Sequence, residues 1–412
     1  LGGRVLVFEY FYGSSLPAHV LFYCACGIVV ADFFATLFTI FYQNYWYTGK
    51  MRPAYKQDYY PKCSVIVPCK GIPKDLGKNL EGFLELDYSD YEVVFVTESQ
   101  EDAAVSVIQS IIAKNPKAKL AIAGLAKSCA QKNFNLLEAV RQSSKPDVYV
   151  FADSDIRPAK HWLRELILPL ANQKIGATSG FRWLHANKGT IGELTHSYVN
   201  IFMYVAFSVA CFFGGVGLWG GSMAIRRKDF EDFGVADRWA KAAVDDMCLS
   251  QIVLKSSKKA VVVPLCITHT DDLLPTVGST IKWFERQIMY LKAYQKALWL
   301  FATLPLVVVA TILLLLLPTA LILSLTTDYT FTELGGGASL LFYIGEILTA
   351  LLYPLLGKMP RFSKFLFLWP FLRITHVISY YRTLFTNKII WAGIKYQISF
   401  NGDVADIERL AK

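Results

Sequence analysis

Long apolar runs nearly free of charge bracket a central stretch in which short apolar runs alternate with amphipathic ones. Within residues 61–276, the runs 63–68, 91–97, 118–123, 147–152, 175–180 and 260–267 have the length and buried composition of strands. Between them, residues 78–86, 103–113, 133–141 and 161–170 carry helical periodicity. Alternation at this spacing predicts a mostly parallel sheet covered by helices, a doubly wound nucleotide-binding architecture. No Walker lysine motif is present and no GxGxxG follows strand 63–68, so ATP hydrolysis and dinucleotide binding are disfavoured.

The flanking runs point to a bilayer. Residues 11–49 hold one formal charge, Asp32, and residues 297–327 hold none; a third run, 338–356, is interrupted by Glu346. We therefore expect a retained anchor over 16–49 and two transmembrane helices within 297–357, while residues 1–15 carry no readable pattern. Hydrophobic residues make up 54% of the 412 positions, which is high for a soluble domain of this length. Asp32, an acid inside a span, calls for a partner, with Arg373 or His376 as the candidates.

Other segments are intermediate in character. Residues 197–221 are aromatic, glycine-rich and uncharged, and read as an interfacial or pocket-lining segment or as domain core. Residues 277–296 form an amphipathic interface helix, and 361–386, with Lys364, Arg373, His376 and Arg382, a re-entrant or interfacial one. The tail, 387–412, alternates around 396–400 before an Asn401-Gly402 turn signal.

A net charge of +9 would suit nucleic acid, but its placement argues against that partner. Lys50, Arg52, Lys56 and Lys62 follow the first span, and Lys282, Arg286, Lys292 and Lys296 precede the second. This positive-inside pattern places the central domain in the cytosol, at a bacterial inner membrane or a eukaryotic Golgi or endoplasmic reticulum membrane, and the loop 328–337 on the far side. The eight cysteines lack CxxC spacing and read as reduced packing residues.

Candidate chemistry gathers at carboxylates. Asp153 and Asp155 follow an apolar run, past the carboxyl end of a buried strand, where two carboxylates suit Mn2+ or Mg2+ and through it a diphosphate; an acidic helix-capping turn is the plainer alternative. Asp245 and Asp246 open a helical pattern, as a general base or as carboxylates favoured by the helix dipole. His269, at the end of run 260–267, is either a metal ligand or a polar cap.

In order along the chain, Val67-Pro68-Cys69-Lys70-Gly71, Asn79-Leu80-Glu81, Leu86-Asp87-Tyr88, 132–136, Asp153-Ser154-Asp155, Gly221-Ser222-Met223 with Arg227-Lys228-Asp229, Asp245-Asp246 and 391–396 resemble the family-2 glycosyltransferase superfamily, most closely the ceramide glucosyltransferase family. The resemblance implies an A-type α/β nucleotide-sugar-binding domain with a mixed, mostly parallel sheet, plus transmembrane helices. It implies that Lys70, Gly71 and Glu98 meet uracil and ribose, that Lys132 and Asn135 contact the nucleotide sugar, and that Asp153 and Asp155 hold a divalent metal and the diphosphate. Asp246 stands at the catalytic base, with Asp245 beside it. Glu98 replaces the family's usual aspartate. Arg286 fits the first position of a QxxRW-type motif that helps hold the diphosphate, but Met289 and Tyr290 replace its arginine and tryptophan.

The implied reaction is inverting, metal-dependent transfer of one sugar from a UDP-sugar to a lipid hydroxyl, of ceramide or a similar lipid, since a single base opposite the leaving group dictates direct displacement. A processive polysaccharide synthase is the alternative, and a transporter or sensor with a nucleotide-binding domain a more distant one.

Overall fold

The computed structural model describes residues 16–215 and 217–410; the segment 1–15 lies outside them. The chain divides into two compact units. One comprises residues up to Ile40, Ala186–Ile201 and Leu274–Phe385; the other comprises Phe41–His185, Phe202–Leu273 and the chain from Thr386 onward.

The second unit is built on a seven-stranded sheet. Its strands are β1 Cys63–Pro68, β2 Tyr91–Thr97, β3 Ala118–Ile122, β4 Val148–Ala152, β5 Ile175–Leu184, β6 Ser222–Arg226 and β7 Lys259–Thr270, in the order β3-β2-β1-β4-β6-β5-β7. Strands β3, β2, β1 and β4 run parallel; β6 is antiparallel to both β4 and β5, and β7 is parallel to β5. The mixed, mostly parallel sheet expected of an A-type glycosyltransferase is therefore present. Its reversed strand lies in the glycine-flanked stretch 221–226, too short and too apolar to announce its direction.

Burial on both faces explains the uninterrupted apolar runs: Val65, Ile66, Val93, Val94, Phe95, Val150 and Phe151 are inaccessible to solvent. The helix Gln131–Gln142 packs on β1 and β2. Beneath β4, Phe151 meets Trp239 edge-on at 5.0 Å, and Trp239 meets Phe230 at 5.6 Å. The tail forms a separate antiparallel sheet, β8 Lys388–Trp391, β9 Ile394–Ile398 and β10 Val404–Arg409, in the order β10-β9-β8.

The first unit is helical. Among the described residues, four helices are long and apolar enough to cross a membrane: Leu16–Ala54, Ile191–Phe212, Leu298–Thr326 and Gly336–Leu355. Residues 197–221, expected to lie at an interface, line a pocket or form domain core, contribute most of a fourth such helix. It is the most buried of the four, and within the sheet unit Tyr204 packs against Phe181 and Trp183. Residues 361–386, read as re-entrant or interfacial, form one unbroken helix, Phe362–Leu384, without a re-entrant turn. The amphipathic helix Val277–Tyr294 packs along it and is capped by Thr276, whose hydroxyl accepts from the Ser279 amide. Asp32 finds the partner expected for it: Arg373 donates to Asp32 at 3.2 Å, to Glu346 at 2.8 Å and to the Tyr198 hydroxyl at 2.7 Å.

Candidate active site

The carboxyl ends of β1, β2 and β4 deliver Lys70, Glu98 and Asp153 to one edge of the sheet, the edge at which open α/β sheets bind ligands. Leaving β4, the Asp153 amide donates to the Gly221 carbonyl at 3.2 Å, and the Asn79 side chain holds the Ser154 carbonyl at 3.3 Å. The loop carrying both aspartates is thus tied at two points.

Lys132, in the first turn of the helix Gln131–Gln142, links the parts. Its ammonium lies 2.8 Å from Asp153 Oδ1 and 3.1 Å from Asp245 Oδ2. Burial disfavours its charge, yet the surrounding aspartates, Asp153 foremost, outweigh that penalty and keep it protonated.

Asp245 and Asp246 sit where the helix Asp246–Lys255 begins. Asp246 accepts from the Gly220 amide at 2.9 Å and from its neighbour Met247 at 2.6 Å. Burial, then the charge of Asp245, push its carboxyl up to about 7, against the opposing pull of Lys132. A carboxyl poised there exchanges protons at neutral pH, as a general base requires. Burial, opposed by Lys132, also raises Asp245, whose side chain is sealed from solvent.

Gly220 is needed for this packing. A Cβ at that position would lie 2.6 Å from Asp245 Oδ2 and 3.1 Å from both Asp246 Oδ2 and Lys132 Nζ. Gly71 is required for a different reason, a backbone φ of +63°, and its amide donates to Asp102 at 2.8 Å.

Arg182 and Trp219 complete the arrangement, and both lie outside the sequence motifs. Arg182, projecting from β5, forms an ion pair with Asp155, and its guanidinium lies 5.7 Å from the Trp219 ring centre. The available signal was a lone arginine among the apolar and small residues of 175–184. Burial, only partly offset by Arg182, raises the Asp155 carboxyl above its usual range, and its Oδ1 is buried without a hydrogen-bond partner.

The remaining candidates are distributed as follows. Lys70 pairs with Glu98 at 3.0 Å, and Asn135 accepts from the Gln131 amide group at 2.8 Å. His269 faces His185, with ring nitrogens 3.2 Å apart, and is not joined to Asp153 or Asp155 by a hydrogen bond or ion pair. Among the described residues, no group of three or more His, Cys, Asp or Glu side chains is gathered as a metal cage. Arg286 and Tyr290 belong to the helical unit, on the helix Val277–Tyr294.

Comparison with known proteins places the family and the fold. Ceramide glucosyltransferase 1 of Caenorhabditis elegans is 22% identical over 391 residues, which cover 92% of this chain and 80% of that protein. Ceramide glucosyltransferase 3 of the same organism is 35% identical over 98 residues, 23% of this chain and 21% of that one. Among solved structures, the mannosyltransferase PcManGT from Pyrobaculum calidifontis, in complex with GDP-Man and Mn2+, shares the fold with a TM-score of 0.54 at 19% identity, over 88% of this chain and 99% of that one. Residues 31–404 match the family model of glycosyl transferase family 21. With that match running through both the sheet unit and the apolar helices, the chain belongs to glycosyl transferase family 21 and is a membrane glycosyltransferase.

Proposed function

We propose that this enzyme transfers one sugar from a UDP-sugar to the hydroxyl of a membrane lipid, ceramide or a similar lipid, with inversion at the anomeric carbon. The observation that carries the reading is the Lys132 bridge, which ties Asp153, on the proposed donor side, to Asp245, the neighbour of the proposed base Asp246. Donor and base groups thereby occupy one cluster, as transfer to an acceptor hydroxyl requires.

Each residue has a task in this proposal. Lys70, Gly71 and Glu98 receive the base and ribose, and Lys132 and Asn135 meet the sugar nucleotide. Asp246 takes the acceptor proton, which makes a weakly nucleophilic hydroxyl competent to attack. One base opposite the leaving group gives direct displacement and hence inversion. Asp153 and Asp155 would hold Mn2+ or Mg2+, and the buried, unpartnered Oδ1 of Asp155 is an oxygen suited to such an ion. Two carboxylates suffice where substrate phosphates complete the coordination, and the ion's chemistry is to neutralise charge on the departing diphosphate. Arg286 is retained as a diphosphate contact on the family resemblance alone, and His269 falls to the polar-cap alternative.

The lipid acceptor is supported by the apolar helices and by the names of the two nematode relatives. The basic flanks at 50–62 and 282–296 support a cytosolic catalytic domain.

The test is turnover of detergent-purified enzyme with Mn2+ or Mg2+, labelled UDP-sugars, and ceramide, diacylglycerol or polyprenol acceptors. A single-sugar glycolipid is expected, lost with EDTA and in Asp246→Asn. A ladder of polymer would establish the processive alternative, and full turnover by Asp246→Asn would remove the base assignment.

A further inference from the structure

The tail motif has no role in the proposal above, yet the structure carries the tail to the carboxyl end of β2, where Glu98 stands. On β10, Arg409 donates to Gln131 Oε1 at 2.6 Å, and its guanidinium lies 3.6 Å from Glu98 Oε2. On β9, the Tyr396 hydroxyl accepts from the Gln131 amide at 3.1 Å. Glu98 is thus held between two cations, Lys70 from β1 and Arg409 from the tail.

Gln131 passes this constraint on. Its Oε1 accepts a second bond, from the Ala126 amide at 3.0 Å, and its Nε2 donates to the Gly124 carbonyl and to Asn135 Oδ1, both at 2.8 Å. One buried side chain therefore pins the loop 124–130 and orients Asn135. The carbonyl of this amide is in turn fixed by Arg409. Tyr396 satisfies an amide in the first helical turn that has no partner within the helix. Packing alone would not require a charged guanidinium here; a bond between a charged donor and a buried amide oxygen is stronger than a neutral one and sets direction as well as distance.

We propose that the β8–β10 sheet is part of the donor site, and that Arg409 and Tyr396 are positioning residues that set Glu98, Gln131 and Asn135 for the base and ribose of a nucleoside diphosphate sugar. The proposal rests on the donor-site reading given above. Arg409 acts through Glu98 and Gln131, so its loss degrades donor binding and leaves the proton transfer at Asp246 intact.

The experiment measures UDP binding by calorimetry, and donor KM, acceptor KM and kcat, for full-length enzyme in detergent with Mn2+. The variants are Arg409→Ala, Arg409→Lys and Tyr396→Phe, with Glu408→Ala as a control that removes an exposed ion pair to Lys395 on the same sheet. Arg409→Ala is expected to raise the UDP Kd and the donor KM about tenfold, with kcat, acceptor KM and thermal midpoint close to those of the parent. Arg409→Lys should recover part of the loss, Tyr396→Phe should move donor KM the same way, and Glu408→Ala should change nothing. Parent-like UDP binding by Arg409→Ala would overturn the inference. So would a fall in kcat and thermal midpoint together with binding, which marks a structural role. Absence of UDP binding by the parent enzyme would instead overturn the donor-site reading itself.

Discussion

Asp246 sets the expected pH behaviour. A base with a carboxyl near 7 works only when deprotonated, so kcat/KM should rise through about pH 7 and level off above it. A profile already flat at pH 5 would show that a different group takes the proton. The same raised carboxyl has a consequence for stability: the folded chain holds this proton between the ordinary carboxylate range and pH 7, so its contribution falls as pH rises across that window. Gly220→Ala should sharply lower turnover, because the new methyl would clash with Asp245 and crowd Asp246 and Lys132; parent-like activity would mean that this cluster is not catalytic. Asp153, Asp155, Asp245 and Asp246 were all legible in the sequence, because paired carboxylates beside apolar runs stand out. Arg182 was not, since its significance lies in reaching Asp155 from a strand 27 residues away.

At the scale of strands and helices, one motif of the family resemblance serves architecture. Arg227-Lys228-Asp229, part of the family resemblance, is largely structural at Asp229. That carboxylate is buried, pairs with Arg226 and accepts from Lys258 at 2.5 Å, while Arg226 also donates to the Leu170 and Ile175 carbonyls. The cluster ties β6 to the starts of β5 and β7. Asp229→Ala would leave a buried guanidinium without its anion, at a cost of about 3 kcal/mol. It should therefore lower the thermal midpoint while leaving donor KM unchanged; a raised donor KM at parent stability would assign Asp229 to the site instead. The parallel strands were readable from apolar runs spaced by helices. The antiparallel insertion of β6 was not, because strand direction depends on which neighbours a short run meets.

At the scale of the whole molecule, the apolar helices and the charges within them make the testable case. Arg373 with Glu346, Asp32 and Tyr198 forms a polar knot among the helices of the first unit, and Glu346 is buried. Arg373→Leu should lower the unfolding temperature in detergent, and adding Glu346→Leu should restore much of it, because replacing a whole buried pair is far milder than breaking one. Failure of the second change to help would show that the pair has a task beyond packing. Topology is testable by labelling single cysteines from outside sealed vesicles: position 329 should lie opposite position 56. Labelling of both from one side would reverse the proposed orientation.

The sequence alone determined the chain's class: charge-free runs long enough for a bilayer, a strand–helix alternation between them, and the order of carboxylate motifs. These are local properties of composition and spacing, and they survive without any knowledge of contacts. Only the tertiary structure decided which charges meet. It placed Lys132 between Asp153 and Asp245, set Arg182 against Asp155, and folded the tail so that Arg409 reaches Glu98. Such pairings join residues tens to hundreds of positions apart, and the physical reason they were hidden is that a salt bridge depends on distance in space, to which spacing along the chain is no guide.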